Sequence, residues 1–361
     1  MHNMPAISIV IPLYNAQTYI PRFVHALQRQ TLHDFEALFV DDASTDESAS
    51  IVQALAATDS RLKLLRHPAN LGAGAARNLG IRTATGETLC FADPDDLLPN
   101  TSLEVRHAAY KQHGAVVRAC HVEQSSQGKI LHLEERPPGL NSVCAPRDAA
   151  HKFGANPFLC AHWTWLFPTK MLQRLGIYNE EHMRTAEDIM FLIHAFYGIS
   201  KLVWIEDIVY RWIKREDSLS NTFYTVEHYL DYFRCVEEFY TKSIPQKKAL
   251  LADSFFNDYL SCYIPHLLKQ VLDGKSSEQD AQNVFSKILQ LIEKYNILHK
   301  YAPYIQKRPL QYIGFFRVWH LLADQSPSLV QRLIHGQNFI TRRQLHVIAT
   351  RSNHASPETR P

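Results

Sequence analysis

The sequence predicts an α/β fold, a mostly parallel sheet covered by helices on both faces, followed by a helical C-terminal region. Three observations predict it. β-rich apolar runs alternate with amphipathic stretches through the first hundred residues. The connections between them are long enough for helical crossovers, which parallel strands require. From about Thr225 the pattern changes to long helical periodicity.

The first run, Ile7 to Pro12, closes on a proline, and Leu13-Tyr14-Asn15 forms a loop before an amphipathic stretch from Thr18 to Gln30. Phe35 to Val40 reads as the second strand. It ends in Asp41-Asp42, and Ser44-Thr45-Asp46-Glu47 supplies cap chemistry for a helix through Ile51, Val52 and Leu55. Leu62 to Leu65 makes a third strand. Small residues from Asn70 to Gly80 then open a helix, and their glycines read as close helix-to-strand packing. The fourth strand, Leu89 to Ala92, runs into Asp93-Pro94-Asp95-Asp96. In parallel sheets ligands bind outside the carboxyl ends of the strands, so one crevice can hold the Pro12–Asn15, Asp41-Asp42 and Asp93–Asp96 loops together. No GxGxxG turn follows the first strand, which argues against a dinucleotide site.

Three carboxylates within four residues at the mouth of a buried strand repel one another. Two readings stay open: a solvated acidic turn capping the next helix, or a metal site. Pro94 fixes the turn, so Asp93 and Asp95 project from a loop. Mg²⁺ and Mn²⁺ prefer oxygen ligands and take one or two carboxylates beside phosphate oxygens, so the expected cofactor is one of these ions on a diphosphate.

The 361 residues suffice for about two domains, expected at 1–222, with halves at 1–100 and 101–222, and at 223–351, before a disordered tail at 352–361. A net charge of +2 gives no global field for nucleic acid. Six widely spaced cysteines form no CxxC, and the start MHNMPAISIVIPLYN lacks signal-peptide regions, so a reduced, cytoplasmic setting is expected. No window is apolar enough for a membrane span.

These residues resemble the family 2 glycosyltransferases. The likeness rests on Ile7 to Asn15, Gln30-Thr31, Phe35-Glu36, Val40 to Asp46, Asn70-Leu71-Gly72, Ala76 to Ile81, Gly86-Glu87 and Asp93 to Asp96, and continues more loosely to about residue 220. It implies a GT-A fold and an inverting hexosyltransferase that uses a nucleotide-diphosphate donor, UDP-sugar above all, with a glycan or lipid-linked acceptor. Bacterial relatives commonly build lipopolysaccharide or capsule. By the resemblance Asp42 contacts the base, with Pro12 and Tyr14 lining the same pocket. Asp93 lies near ribose and sugar, Asp95 with Asp93 holds the metal, and Asp96 orients sugar hydroxyls or the loop. Arg77 either supports developing charge or is a helix-surface arginine. Thr185 to Phe191 resembles the family's "xEDxxF" motif, which makes Asp188 the general base and Glu187 its support. Tyr210 to Ser220 resembles "YR.r..SiS", and Arg211, Lys214 and Arg215 are expected to close over the diphosphate as a lid. The histidine that relatives often place in this stretch is absent.

Trp163 and Trp165 either stack on acceptor sugar or belong to the core, and Trp204 sits inside a strand. Residues 300–351 hold eight Lys or Arg against one acid, Asp324, interleaved with aromatics. This fits either a peripheral contact with the cytoplasmic face of the inner membrane or a basic helix packed on the catalytic domain. The aromatic helical third also offers a face for a homodimer. Two other functions, sugar nucleotidyltransferase and catalytically silent scaffold, fit less well. The first needs a glycine-rich basic loop after the first strand, and the second does not need so many clustered carboxylates.

Overall fold

The computed structural model describes residues 4–146, 161–183, 185–215 and 226–243, with residues 277, 284, 287, 290 and 294 besides. The chain divides into two compact units, residues 1–153 with 157–222 and residues 223–361 with 154–156.

The first unit alternates strand and helix through its first hundred residues: β1 (Ile7–Leu13), α1 (Ile20–Gln28), β2 (Phe35–Asp41), α2 (Ser48–Ala56), β3 (Leu62–Arg66), α3 (Ala73–Thr83) and β4 (Thr88–Phe91). The four strands pair in parallel in the order β3-β2-β1-β4. Consecutive residues Ile9, Val10 and Ile11 of β1, and every residue of β2, are buried, so both sheet faces are covered. Helix α3 packs on β1 and β2, and α2 on β3. A glycine makes the α3 contact possible: a Cβ on Gly80 would lie 2.2 Å from Val10 Cγ1.

After β4 come α4 (Ser102–His113), β5 (Val116–Ser125), β6 (Ile130–Leu133), β7 (Val143–Cys144), a 3₁₀ turn (His162–Thr164), β8 (Trp165–Pro168), α5 (Thr169–Leu175), α6 (Glu187–Gly198) and β9 (Leu202–Lys214). These strands extend the sheet as β4-β8-β5-β9-β7, with β6 on β5. Here the pairing is mixed: β8 runs antiparallel to both β4 and β5, while β5 and β9 are parallel.

β9 is longer than the sequence suggests. The strand that holds Trp204 continues to Lys214, across a bulge at Arg118–His121, into the stretch expected to form a lid from Tyr210 onward. The exposed Glu206 and Asp207 occupy the bulge, and the aromatic and β-branched run Val209-Tyr210-Arg211-Trp212-Ile213 then resumes pairing. Residues 216–220 of the expected lid lie outside the described residues.

In the second unit α7 (Val226–Ser243) is helical, and Lys294 Nζ pairs with Glu237 Oε1 at 2.9 Å. The basic and aromatic segment at 300–351 and the tail at 352–361 lie outside the described residues. Among the described residues no helix is long and apolar enough to cross a membrane.

Candidate active site

The strand order reverses between β1 and β4, since β2 and β3 lie to one side of β1 and β4 to the other. A crevice at such a switch point is open beyond the carboxyl ends of the strands. The loops that follow β1, β2 and β4 lie there.

Asn15 and Ala43 adopt left-handed backbone, φ 50° and 58°. Their loops are laced together: Asn15 Oδ1 accepts from the backbone N–H of Thr45 at 2.9 Å, and the N–H of Asn15 donates to Ser44 Oγ at 3.0 Å. Tyr14 stands 53 % exposed beside them, with Pro12 half-buried. Asp42 is buried, and its carboxylate accepts from the N–H groups of Leu71 at 3.0 Å and Gly72 at 2.7 Å, while His67 Nδ1 lies 2.7 Å away. Gly72, at φ 94°, turns these amides onto the carboxylate. His67 is a partner that the sequence does not single out; its one signal is its place at the carboxyl end of β3.

The acidic turn is held from three sides. Tyr210, buried on β9, accepts from the N–H of Asp93 at 2.9 Å and donates to Asp96 Oδ2 at 2.9 Å. Asp96 Oδ1 accepts from the N–H of Ile213 at 2.8 Å, so this buried carboxylate pins the loop to β9. Burial, with Asp95 and Asp93 nearby, pushes the Asp96 carboxyl well above the usual carboxylate range. Asp95 keeps about 29 % of its side chain exposed and pairs with Arg215, which stacks over the Tyr19 ring at 4.6 Å. Burial and Asp93 raise the Asp95 carboxyl against that pairing.

Arg77 is not on the helix surface. It is buried, and its guanidinium joins Asp93 Oδ1 at 3.3 Å to Glu187 Oε1 at 2.7 Å, across 110 positions of sequence in the second case. Burial works against its charge, but Asp93, Glu187 and Asp188 hold it firmly protonated. α6 begins with the acidic pair, behind Ala186 at φ 57°. Burial and the neighbouring Asp188 push Glu187 up, opposed by Arg77. Asp188 goes the other way: desolvation would raise it, but His162 and Arg77 outweigh that and lower it. Two adjacent carboxyls driven apart in this way suit different roles.

The structure therefore gathers Asp93, Asp95, Asp96, Glu187 and Asp188 around Arg77, Arg215 and Tyr210. Arg211 and Lys214 are not brought to them. Arg211 is exposed with its guanidinium 3.3 Å from Gln124 Oε1, and Lys214 Nζ pairs with Glu123 at 2.9 Å over the Trp212 ring. A paired strand fixes both, so of the three lid cations only Arg215 reaches an acid of the turn. Trp163, Trp165 and Trp204 are core: Trp163 stacks on Tyr210 at 4.1 Å, and Trp165 and Trp204 flank the buried Arg118. Among the described residues no group of three His, Cys, Asp or Glu is arranged to hold a metal by itself. Asp93 and Asp95, both partly exposed and mutually repelling, fit a cation that takes its remaining ligands from phosphate.

Comparison with known proteins bears on the family and the fold. The model of glycosyl transferase family 2 matches residues 8–176. An uncharacterized glycosyltransferase, EpsJ of Bacillus subtilis, is 26 % identical over 305 residues, covering 79 % of this chain and 84 % of its own. Glycosyltransferase GlyG of Streptococcus pneumoniae is 28 % identical over 251 residues, 66 % of this chain and 79 % of its own. The crystal structure of Staphylococcus aureus TarS residues 1–349 in complex with UDP-GlcNAc superposes with a TM-score of 0.68 at 21 % identity, covering 89 % of this chain and 92 % of that one, a likeness of fold. Residues 8–176, which carry the parallel β3-β2-β1-β4 sheet and the acidic turn after β4, thus match a glycosyl transferase family 2 domain, and the fold is the GT-A fold of TarS.

Proposed function

We propose that the protein transfers a sugar, with inversion, from a UDP-sugar to a hydroxyl of a glycan or lipid-linked acceptor in cell-surface polysaccharide assembly. The observation that carries the reading is the Arg77 bridge, which ties the donor-side Asp93 to Glu187 and so sets Asp188 in the same site. In the proposed step Asp188 takes the proton of the acceptor hydroxyl, whose oxygen bonds to the anomeric carbon. The bond from that carbon to the diphosphate breaks, and its electron pair leaves with UDP. Asp188 suits the task because its surroundings keep it ionised, while Arg77 engages Glu187 and leaves the base to its neighbour. A divalent ion, Mn²⁺ or Mg²⁺, held by Asp95 and Asp93, would neutralise charge on the leaving diphosphate. Solved TarS structures are described as complexes with UDP and UDP-GlcNAc, which supports a UDP-sugar as the first donor to try. The basic segment at 300–351 suits an enzyme that meets lipid-linked acceptors at the cytoplasmic membrane face.

The test is a donor screen with UDP-, GDP- and CMP-sugars, following nucleotide release with and without EDTA. Release of UDP that is lost on chelation and in Asp95→Ala and Asp188→Ala is the expected result. Donor binding indifferent to metal and to Asp95 would overturn the metal-diphosphate part.

A further inference from the structure

His162 is buried, with 2 % of its surface exposed, in the 3₁₀ turn before β8. Neither ring nitrogen has a hydrogen-bond partner. A buried imidazole without partners is costly, and such a group calls for an explanation. Its Nδ1 lies 3.6 Å from Asp188 Oδ2, inside ion-pair range and just beyond hydrogen-bond length. The other oxygen of that carboxylate, Oδ1, already accepts from the N–H of Ile189 at 2.8 Å. His162 cannot easily move away, because the Phe91 ring lies against it at 4.9 Å and the turn is entered through Ala161 at φ 56°. Phe91 is the last residue of β4, so the strand that leads into the acidic turn also backs this histidine.

We infer that His162 is the positioning residue of the base: its Nδ1–H donates to Asp188 Oδ2 and, with the N–H of Ile189 on Oδ1, fixes the rotation of that carboxylate. The inference rests on the base role proposed above for Asp188. It explains why a polar ring occupies an otherwise apolar position beside Phe91. A carboxylate gripped at both oxygens cannot swing toward Arg77, which is already engaged by Glu187 and Asp93. Each carboxylate oxygen still has a lone pair for the acceptor proton. The same contact favours the ionised form, and His162 is the strongest influence lowering Asp188 against desolvation. The other charged groups around Asp188 are Glu187 on its own helix and Arg77 from α3, the latter backed by Asp93 of the acidic turn.

The experiment needs no substrate. The full-length protein is labelled at the aspartate side-chain carboxyl carbon, and the Asp188 resonance is assigned by its loss in Asp188→Asn. Its titration is then followed in the wild type, His162→Leu and His162→Gln, with thermal melts to report folding. The expected result is a midpoint about one pH unit higher in His162→Leu, and a partial return in His162→Gln, which restores a donor without the ring. A midpoint unchanged in a folded His162→Leu would overturn the inference, even if that variant were less stable, because a purely structural histidine lowers the melting temperature and leaves the carboxyl alone. Should His162→Leu not fold, His162→Gln and His162→Asn carry the comparison, and equal midpoints in both and the wild type would overturn it. The base role is tested separately, by nucleotide release in Asp188→Ala, so its failure is told apart from failure of the His162 contact.

Discussion

At the scale of single residues, Arg77 is where the acidic turn after β4 meets the acidic pair of α6. A buried guanidinium bridging two carboxylates is most costly to lose when the partners stay behind, because Asp93, Glu187 and Asp188 would then repel one another without a cation. Arg77→Ala is therefore expected to lose about 3 kcal/mol of stability in urea unfolding. Arg77→Lys keeps the charge but not the fork that reaches both acids, so it should fall between the two. Asp93→Asn with Arg77→Ala in one chain should cost less than the sum of the two changes, the sign of a coupled pair.

Elements add constraints that no single residue shows. Glu36 of β2 is buried and ties four pieces together: Ser8 of β1 at 2.6 Å, Lys63 of β3 at 2.6 Å, and the Thr85 and Gly86 N–H groups before β4 at 2.7 and 3.2 Å. Burial alone would raise this carboxyl, but these donors outweigh it and lower it below its ordinary 4.5. The stability it confers is thus complete above that pH and lost as pH falls through the lower folded value. Glu36→Gln should be less stable than the wild type at pH 7 and should lose less stability on acidification, as measured by thermal melts from neutral to acid pH. The α3 contact is equally specific. Gly80→Ala pushes a methyl into Val10 and is expected to cost about 1–3 kcal/mol. Val10→Ala alone opens a hole, but in combination with Gly80→Ala it should recover part of the loss, which a double-mutant cycle by urea unfolding reads directly.

For the whole molecule, the proposed site makes stability depend on ligands jointly. Asp95 and Asp93 offer too few ligands for a tight protein-only metal site, so a cation and diphosphate should bind together. UDP with Mn²⁺ at about a hundredfold over its dissociation constant should raise the melting temperature by about 5 °C or more, while either alone should do little. Asp95→Ala should remove the joint effect and leave the unliganded melt near that of the wild type, since its carboxylate is partly exposed.

The amino-acid sequence by itself determined the alternating strands and helices of the first hundred residues, the loops at their carboxyl ends and the acidic groups at 93–96 and 187–188. Those features depend on local periodicity, turn chemistry and charge crowding, which neighbours in sequence reveal. The packing role of Gly80 was legible too, as a small residue in a helix that must approach a strand. Tertiary structure alone decided that Arg77 turns inward between Asp93 and Glu187, that Tyr210 and Ile213 hold Asp96, that Arg215 rather than Arg211 or Lys214 meets the acidic turn, and that His67 and His162 back Asp42 and Asp188. The expected lid cations failed to gather because residues 210–214 continue a strand, whose pairing with β5 fixes each side chain by register. Each of these outcomes joins residues from 16 to 120 positions apart, and a side chain's direction at such separations is set by how strands pair and helices pack, not by the residues beside it.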